Sequence, residues 1–273
     1  MISLFSDPRQ FVVTIEVVPP PGNDPSSLLE KLAGLSNLDF KAFSVASNPV
    51  AKPRMSAMAF THLIQKRCGK KAMLHLTVRD HNRLGLQSEL WGAHALGIDT
   101  VVAVTGDPSL PRLEEPASTV GDLTVFELIK MAEESGLNTG AVLDFRPEYD
   151  GGLDHEAERL KQKVDSGCRF VVTQPVYDES TARKIYIATK DLGVPVMMGI
   201  LPLLSPRHAI FLHDKVAGIA VPEDLRNEMA NSDNPVQTGI IQSRQMLEMA
   251  ESMFSGACVM PPFDRFDILE KIL

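Results

Sequence analysis

The chain has 273 residues, 44% of them hydrophobic and 23% charged, an ordinary globular composition with enough length to bury roughly 75% of the unfolded surface. Lys and Arg total 27 against 35 Asp and Glu, and the net charge of -8 would repel a nucleic-acid backbone, which excludes that class of partner. No apolar run reaches the roughly 18 residues a bilayer span needs, and residues 1–10 lack the zones of a signal peptide, so a soluble cytoplasmic protein with no membrane partner is expected. Cys68, Cys168 and Cys258 are odd in number and form no C-x-x-C, which predicts buried free thiols and neither a disulfide framework nor a cysteine zinc site.

In chain order, runs rich in β-branched and apolar residues occupy 11–18, 42–47, 71–78, 100–106, 139–144, 170–176, 195–203 and 257–261; these are eight expected strands. Segments with helical spacing separate them. Asp24-Pro25 predicts the first helix start, a capping carboxylate followed by proline at the first helical position. Gly69, Gly97, Gly136, Gly167 and Gly193 stand where left-handed C-caps would end later helices. Six of the seven intervals between strand starts are 25 to 39 residues, about one βα unit each. The last is longer and holds two helix-like pieces, 207–216 and 235–254.

Eight βα units in a chain near the usual ~250 residues predict a (β/α)8 TIM barrel. A doubly wound open sheet would share the alternation, but no G-x-G-x-x-G follows the first strand and no G-x-x-x-x-G-K-[ST] occurs anywhere. The acidic stretch 108–122 reads as a long βα loop rather than a boundary, so residues 1–273 are expected to form one catalytic domain.

A barrel gathers its active site at the C-terminal ends of its strands. On the first strand, period two puts Thr14 and Glu16 on one face and Val13, Ile15 and Val17 on the other. The apolar face belongs to the helices, which leaves Glu16 inside the barrel. There it is either half of an ion pair or kept protonated by a raised pKa, the state a general acid needs. The same count turns Met73, His75 and Thr77 inward on the third strand, with His75 either touching a ligand or bonded to a backbone carbonyl. The fourth strand ends Val104-Thr105-Gly106-Asp107, where glycine admits a ligand close to the backbone. Asp107 is then a carboxylate at the strand tip or a cap for the following loop. The fifth strand ends on Asp144. On the sixth, Thr173 and Gln174 precede a proline, and the Gln174 amide matches a pteridine or amide edge, or bonds neighbouring backbone.

Over 154–166, Glu156, Arg159 and Lys163 recur at i, i+3 and i+7 and share one helical face. That face is either solvated or holds the ribityl hydroxyls and phosphate of a nucleotide, with Lys163 as the phosphate partner. No metal site is expected, because His155-Glu156 lacks the second histidine of H-E-x-x-H and the other histidines show no ligand spacing. No G-x-S-x-G supports a serine nucleophile. A Schiff-base lyase is disfavoured because no expected strand ends in a lysine at the reactive level, Lys71 lying at the wrong end of its strand.

Together these residues resemble the methylenetetrahydrofolate reductase family over nearly the whole chain. The likeness rests on Thr14-Ile15-Glu16-Val17-Val18-Pro19-Pro20 in place of the family's F-E-F-F-P-P, on His75-Leu76-Thr77, on Gly106-Asp107, on Leu160-Lys161-Gln162-Lys163-Val164-Asp165-Ser166-Gly167, and on Thr173-Gln174. The closing Val259-Met260-Pro261-Pro262-Phe263 is similar to the branch found in anaerobes. The resemblance implies a cytoplasmic flavoprotein oxidoreductase of one-carbon metabolism and methionine biosynthesis. It would carry FAD, with FMN as the alternative, reduced by NADH or NADPH and reoxidised by 5,10-methylenetetrahydrofolate to give 5-methyltetrahydrofolate.

By match, Glu16 and Asp107 are the catalytic residues: Glu16 protonates the folate N10, and Asp107 lies beside pterin and flavin and stabilises the iminium cation. Gln174 and Asp107 bind the substrate, while His75, Thr105, Gly106, Glu156, Arg159 and Lys163 contact the flavin. Ala46, Thr105 and the segment Leu143-Asp144-Phe145-Arg146 depart from the family's flavin shell, which leaves FAD and FMN both open. The resemblance is compatible with a homo-oligomer or a partner subunit. From another class, a folate- or corrinoid-linked methyl-transfer or binding module without redox activity would keep the same folate pocket, and flavin absorbance of the purified protein separates the two.

Overall fold

All eight expected strands form. The computed structural model describes residues 4–5, 7, 9–107, 117–145, 152–216 and 219–273. Its strands are β1 (Val12–Val17), β2 (Ala42–Val45), β3 (Lys71–Thr77), β4 (Thr100–Val104), β5 (Asn138–Leu143), β6 (Phe170–Pro175), β7 (Val196–Ile200) and β8 (Gly256–Val259). Each pairs in parallel with its sequence neighbours, and β8 closes onto β1, so the sheet is a closed barrel in chain order. The helices are α1 (Ser26–Ala33), α2 (Ala57–Cys68), α3 (Arg83–Ala95), α4 (Val125–Glu134), α5 (Gly152–Asp165), α6 (Glu179–Thr189), α7 (Pro206–Lys215), α8 (Glu223–Asn231), α9 (Pro235–Met253) and α10 (Leu269–Ile272). Among the described residues no helix is long and apolar enough to cross a membrane.

The period-two assignment separates two cores. Ile15, Val17, Leu74, Leu76 and Val78 pack outward beneath the helices, whereas Val12, Ala42, Met73, Val102, Phe170, Val172, Met197 and Cys258 fill the barrel interior. Leu4 and Phe5 pack against the interior set, with the Phe5 ring 5.5 Å from Phe170. The apolar floor stops at about the level of Met73 and Cys258, and polar side chains occupy the levels above it, where the strands end.

The local punctuation follows the sequence, except that α1 begins one residue later than expected, with Pro25 as its N-cap and not its first residue. Gly69, Gly97, Gly136, Gly167 and Gly193 all adopt positive φ, and the Asp24 carboxylate accepts the Ser26 N–H at 2.9 Å as α1 begins. Of the three thiols, Cys168 and Cys258 are buried and Cys68 is partly so.

Two expectations are corrected here. β5 ends at Leu143, one residue before Asp144. The span before β8 holds three helices rather than two. In α8 only Leu225 and Met229 are buried, one apolar pair at i, i+4, which is too sparse a stripe to stand out from a polar segment. The reading of 108–122 as one long loop lies partly outside the described residues, as does Arg146; within the described part, Val120 N–H donates to the Arg79 carbonyl and Asp122 accepts the Arg83 N–H.

At β6 the ladder with β7 shifts register between Val172 and Pro175. The missing bond is supplied by a side chain: Gly199 N–H donates to Thr173 Oγ1 at 2.9 Å, and that hydroxyl donates to the Gln174 carbonyl at 2.7 Å. A Cβ on Gly199 would lie 2.6 Å from the Thr173 carbonyl oxygen, so only glycine lets the two strands approach. Thr173→Val keeps the shape but orphans a buried N–H. It should cost about 1–3 kcal/mol in urea denaturation, and an unchanged midpoint would show that the ladder does not need this bridge.

Candidate active site

Above the apolar floor, the inward register of β1 to β3 brings Glu16, Ser44 and His75 together. Ser44 stands opposite Glu16 in the β1–β2 ladder, and its hydroxyl lies 2.8 Å from His75 Nε2. His75 is thus held by a side chain and not by the backbone carbonyl considered as its bland partner. Burial pushes its pKa down to about 4, so the imidazole is neutral near pH 7.

Glu16 has no ion pair or hydrogen bond to its carboxylate among the described residues. Burial, and then the negative charge of Asp107, pushes its pKa up to about 7. This is the protonatable state of the two alternatives, not the barrel ion pair. Beneath it, burial and the Glu16 charge push the Cys258 thiol up to about 12, against hydrogen bonding with Thr14 and Ser44. The pocket floor therefore supplies no cation to stabilise an ionised Glu16.

Asp107 leaves β4 through Thr105, which is exposed, and Gly106, whose φ is +89° and at which a Cβ would lie 3.0 Å from the Arg79 side chain. The loop that follows lies outside the described residues up to residue 116, and the contact of the Asp107 carboxylate that is described runs to another loop. Oδ2 accepts the Val50 N–H at 2.6 Å, across 57 residues of sequence. Val50 (φ 50°) and Ala51 (φ 55°) lie in the left-handed region, as does Asn48 (φ 43°), a strained conformation for a β-branched residue that persists only when its surroundings impose it.

The imposing group is a polar clamp around Arg79. Its Nε and Nη2 donate to the two Asp80 oxygens at 2.5 and 2.8 Å, and its Nη1 donates to the Asp107 carbonyl at 2.9 Å. Asn48 Nδ2 and Thr77 Oγ1 also donate to Asp80. Although burial opposes ionisation of Asp80, the hydrogen bonds from Arg79, Asn48 and Thr77 hold it below the usual carboxylate range. The ends of β2, β3 and β4 are thereby tied into one rim.

Gln174 follows Phe170 and Val172 on the inward register of β6. Its side-chain amide has no partner among the described residues, unlike Thr173, whose hydroxyl completes the sheet. Asp144, past the end of β5, is partly buried and interacts with its surroundings.

The shared face of α5 is turned inward, so the solvated alternative is corrected: Glu156 is 7% and Lys163 6% exposed. Arg159 Nε lies 2.8 Å and Lys163 Nζ 3.5 Å from the Glu156 carboxylate. Lys163 also donates to the Val142 carbonyl near the end of β5 at 2.7 Å, and burial, opposed by Glu156, lowers its pKa. The Arg159 guanidinium sits 5.2 Å over the Phe126 ring. Among the described residues Glu156 Oε2 has only the 3.5 Å contact with Lys163 Nζ, an acceptor with capacity left for a ligand hydroxyl.

Ser44, Asn48, Arg79 and Asp80 were not among the sequence candidates. Extending the period-two count to β2 would have exposed Ser44, and the charged pair Arg79-Asp80 directly after a strand was a legible signal. The pairing of Asp107 with Val50 had none. A cavity of about 570 Å³ opens beside Glu16 against the exits of β1, β7 and β8.

A family model described as methylenetetrahydrofolate reductase matches residues 3–259. A Caenorhabditis elegans protein described as a probable methylenetetrahydrofolate reductase (NADPH) is 27% identical over 186 residues, covering 62% of this chain and 26% of its own length. Methylenetetrahydrofolate reductase 2 of Saccharomyces cerevisiae is 25% identical over 203 residues, covering 70% and 33%. The chain therefore spans no more than 33% of the length of these two curated relatives. Among solved structures, a Clostridium thermocellum protein that binds two copies of 5-methyl-5,6,7,8-tetrahydrofolic acid superposes with a TM-score of 0.70 at 15% identity, covering 96% of this chain and 93% of that one. Oxaloacetate acetylhydrolase superposes at 0.57 and 11% identity, covering 98% and 80%. At these identities the structural likeness is one of fold.

Proposed function

Because the chain belongs to the methylenetetrahydrofolate reductase family, we propose that it reduces 5,10-methylenetetrahydrofolate to 5-methyltetrahydrofolate with electrons from NADH or NADPH, by way of a bound flavin. The observation that carries this reading is Glu16: a carboxylic acid inside the barrel mouth, without a counter-ion and with a pKa near 7, beside a cavity of substrate size. At neutral pH about half of such a group holds a proton in position to be given away.

In the proposed reaction Glu16 donates that proton to the folate N10, which breaks the N10–methylene bond and leaves a cationic iminium at N5. Asp107 stabilises the cation electrostatically. The same negative charge raises the Glu16 pKa, so one carboxylate both readies the acid and stabilises its product. Gln174, with an uncommitted amide, offers both donor and acceptor to the pterin edge. Ser44 positions His75, whose neutral ring can make hydrogen bonds without adding positive charge.

The residues present fit a flavin. Arg159 and Lys163 suit a phosphate, and the buried Glu156 carboxylate that both cations approach suits a ribityl hydroxyl as an acceptor; His75, Thr105 and Gly106 would complete the contacts. When bound, the flavin supplies hydride transfer from nicotinamide to folate. Purified protein is expected to show flavin absorbance, and a colourless protein that binds folate but does not oxidise NAD(P)H would favour a methyl-carrying module instead. Lys163→Ala should weaken flavin retention at least about tenfold, measured by absorbance after gel filtration, and folate binding much less. Equal losses would mean that Lys163 only props α5 against β5.

A further inference from the structure

The cavity beside Glu16 holds a second chemical signal. Its inner end is Glu16, its walls are apolar (Pro19, Met260 and Phe263 among them), and Arg54 and Lys31 stand among its lining residues. Arg54 is partly buried, and its Nε is fully buried with no acceptor. Lys31 is exposed, and neither cation forms an ion pair among the described residues. Asp24 and Asp264 line the same cavity, but Asp24 accepts the Ser26 N–H and neither acid pairs with Arg54. A guanidinium N–H held in a cavity without an acceptor is costly unless a ligand completes it.

We infer that Arg54 binds the carboxylate of the folate's glutamyl tail, so that this cavity selects folates over tail-less pterins. The inference rests on the proposed reaction. If Glu16 protonates N10, the p-aminobenzoyl ring attached to that nitrogen must enter the cavity that Glu16 lines. The ring then meets the apolar wall, where Phe263 rests 5.2 Å from the His208 ring yet is 76% exposed, leaving ring surface to pack on it. The glutamyl carboxylates follow the ring away from Glu16, and Arg54 is the planar, forked donor suited to a carboxylate. Lys31, fully hydrated, adds charge rather than a defined contact.

The test is calorimetric and does not depend on turnover. Wild-type protein is titrated with 5-methyltetrahydrofolate and with the primary amide of 5-methyltetrahydropteroate, which keeps the pterin, aryl ring and carboxamide but has no carboxylate. Wild type should bind the folate about tenfold to a hundredfold more tightly, the range for a charge-assisted hydrogen bond. Arg54→Met should erase most of that difference while affinity for the amide stays within about twofold, and Arg54→Lys should restore part of it. Equal affinity of wild type for both compounds would overturn the assignment and leave the folate reading standing. Binding of neither would overturn both. Equal losses for both ligands in Arg54→Met, with no recovery in Arg54→Lys, would make Arg54 a structural residue of the β2–α2 loop.

Discussion

Replacing Glu16 by glutamine is expected to slow methylenetetrahydrofolate-dependent turnover by about a hundredfold or more, while reduction of the enzyme by NAD(P)H proceeds near the wild-type rate. The substitution keeps the size and most of the polarity of the side chain and removes only the acidic proton, and a general acid typically contributes 10²–10⁴-fold. The two half-reactions differ in this one requirement: opening the folate ring needs a proton at N10, and hydride delivery from nicotinamide does not. Stopped-flow absorbance follows each half separately. Loss of both together, with loss of flavin, would make Glu16 a structural barrel residue; loss of neither would place the acid elsewhere. Asp107→Asn supplies an internal control. Since the Asp107 charge helps to raise the Glu16 pKa, its removal should move the alkaline limb of the folate half-reaction to lower pH, besides lowering the rate through weaker cation stabilisation.

How much of this was legible beforehand depended on the range of the interactions. The strands were readable because β-branched runs recur at βα spacing, and inward placement of Glu16 and His75 followed from period two alone. Ser44 escaped because the period-two count was not carried to β2, where every residue is buried and one small hydroxyl among apolar residues is a faint mark. The face of α5 was readable as a face but not as an inward one, since its burial depends on Val142 and Phe126, contributed by other elements. The clamp of Asp107 on Val50 joins loops that follow different strands, so neither residue carries a mark of the other. Arg54 lay in a stretch with no regular pattern, and its meaning came only from the cavity it borders.

Glu16 and His75 also make a prediction about stability, because their pKa values are displaced in opposite directions. Glu16 rises from 4.5 to about 7 on folding, so the folded chain holds a proton there that the unfolded chain has lost. Its contribution is fully present below pH 4.5 and disappears as pH rises through 7. His75 falls from 6.5 to about 4, so its contribution is present above pH 6.5 and disappears as pH falls through 4. At about 1.36 kcal/mol per pKa unit, each amounts to at most about 3 kcal/mol. Between roughly pH 4.5 and 6.5 the two slopes oppose one another and nearly cancel, leaving the wild-type profile flat from these groups. Glu16→Gln removes one slope, so the stability of that variant relative to wild type should climb by about 3 kcal/mol from pH 4.5 to 7.5. His75→Gln should show the mirror image, gaining on wild type as pH falls from 6.5 to 4. Urea denaturation across that range measures both differences, and because each is taken against wild type at the same pH, the titrations of every other carboxylate cancel. A Glu16→Gln profile parallel to wild type would mean that the carboxyl titrates as it does in the unfolded chain, and the proton assigned to the folate N10 would then have no reservoir at neutral pH.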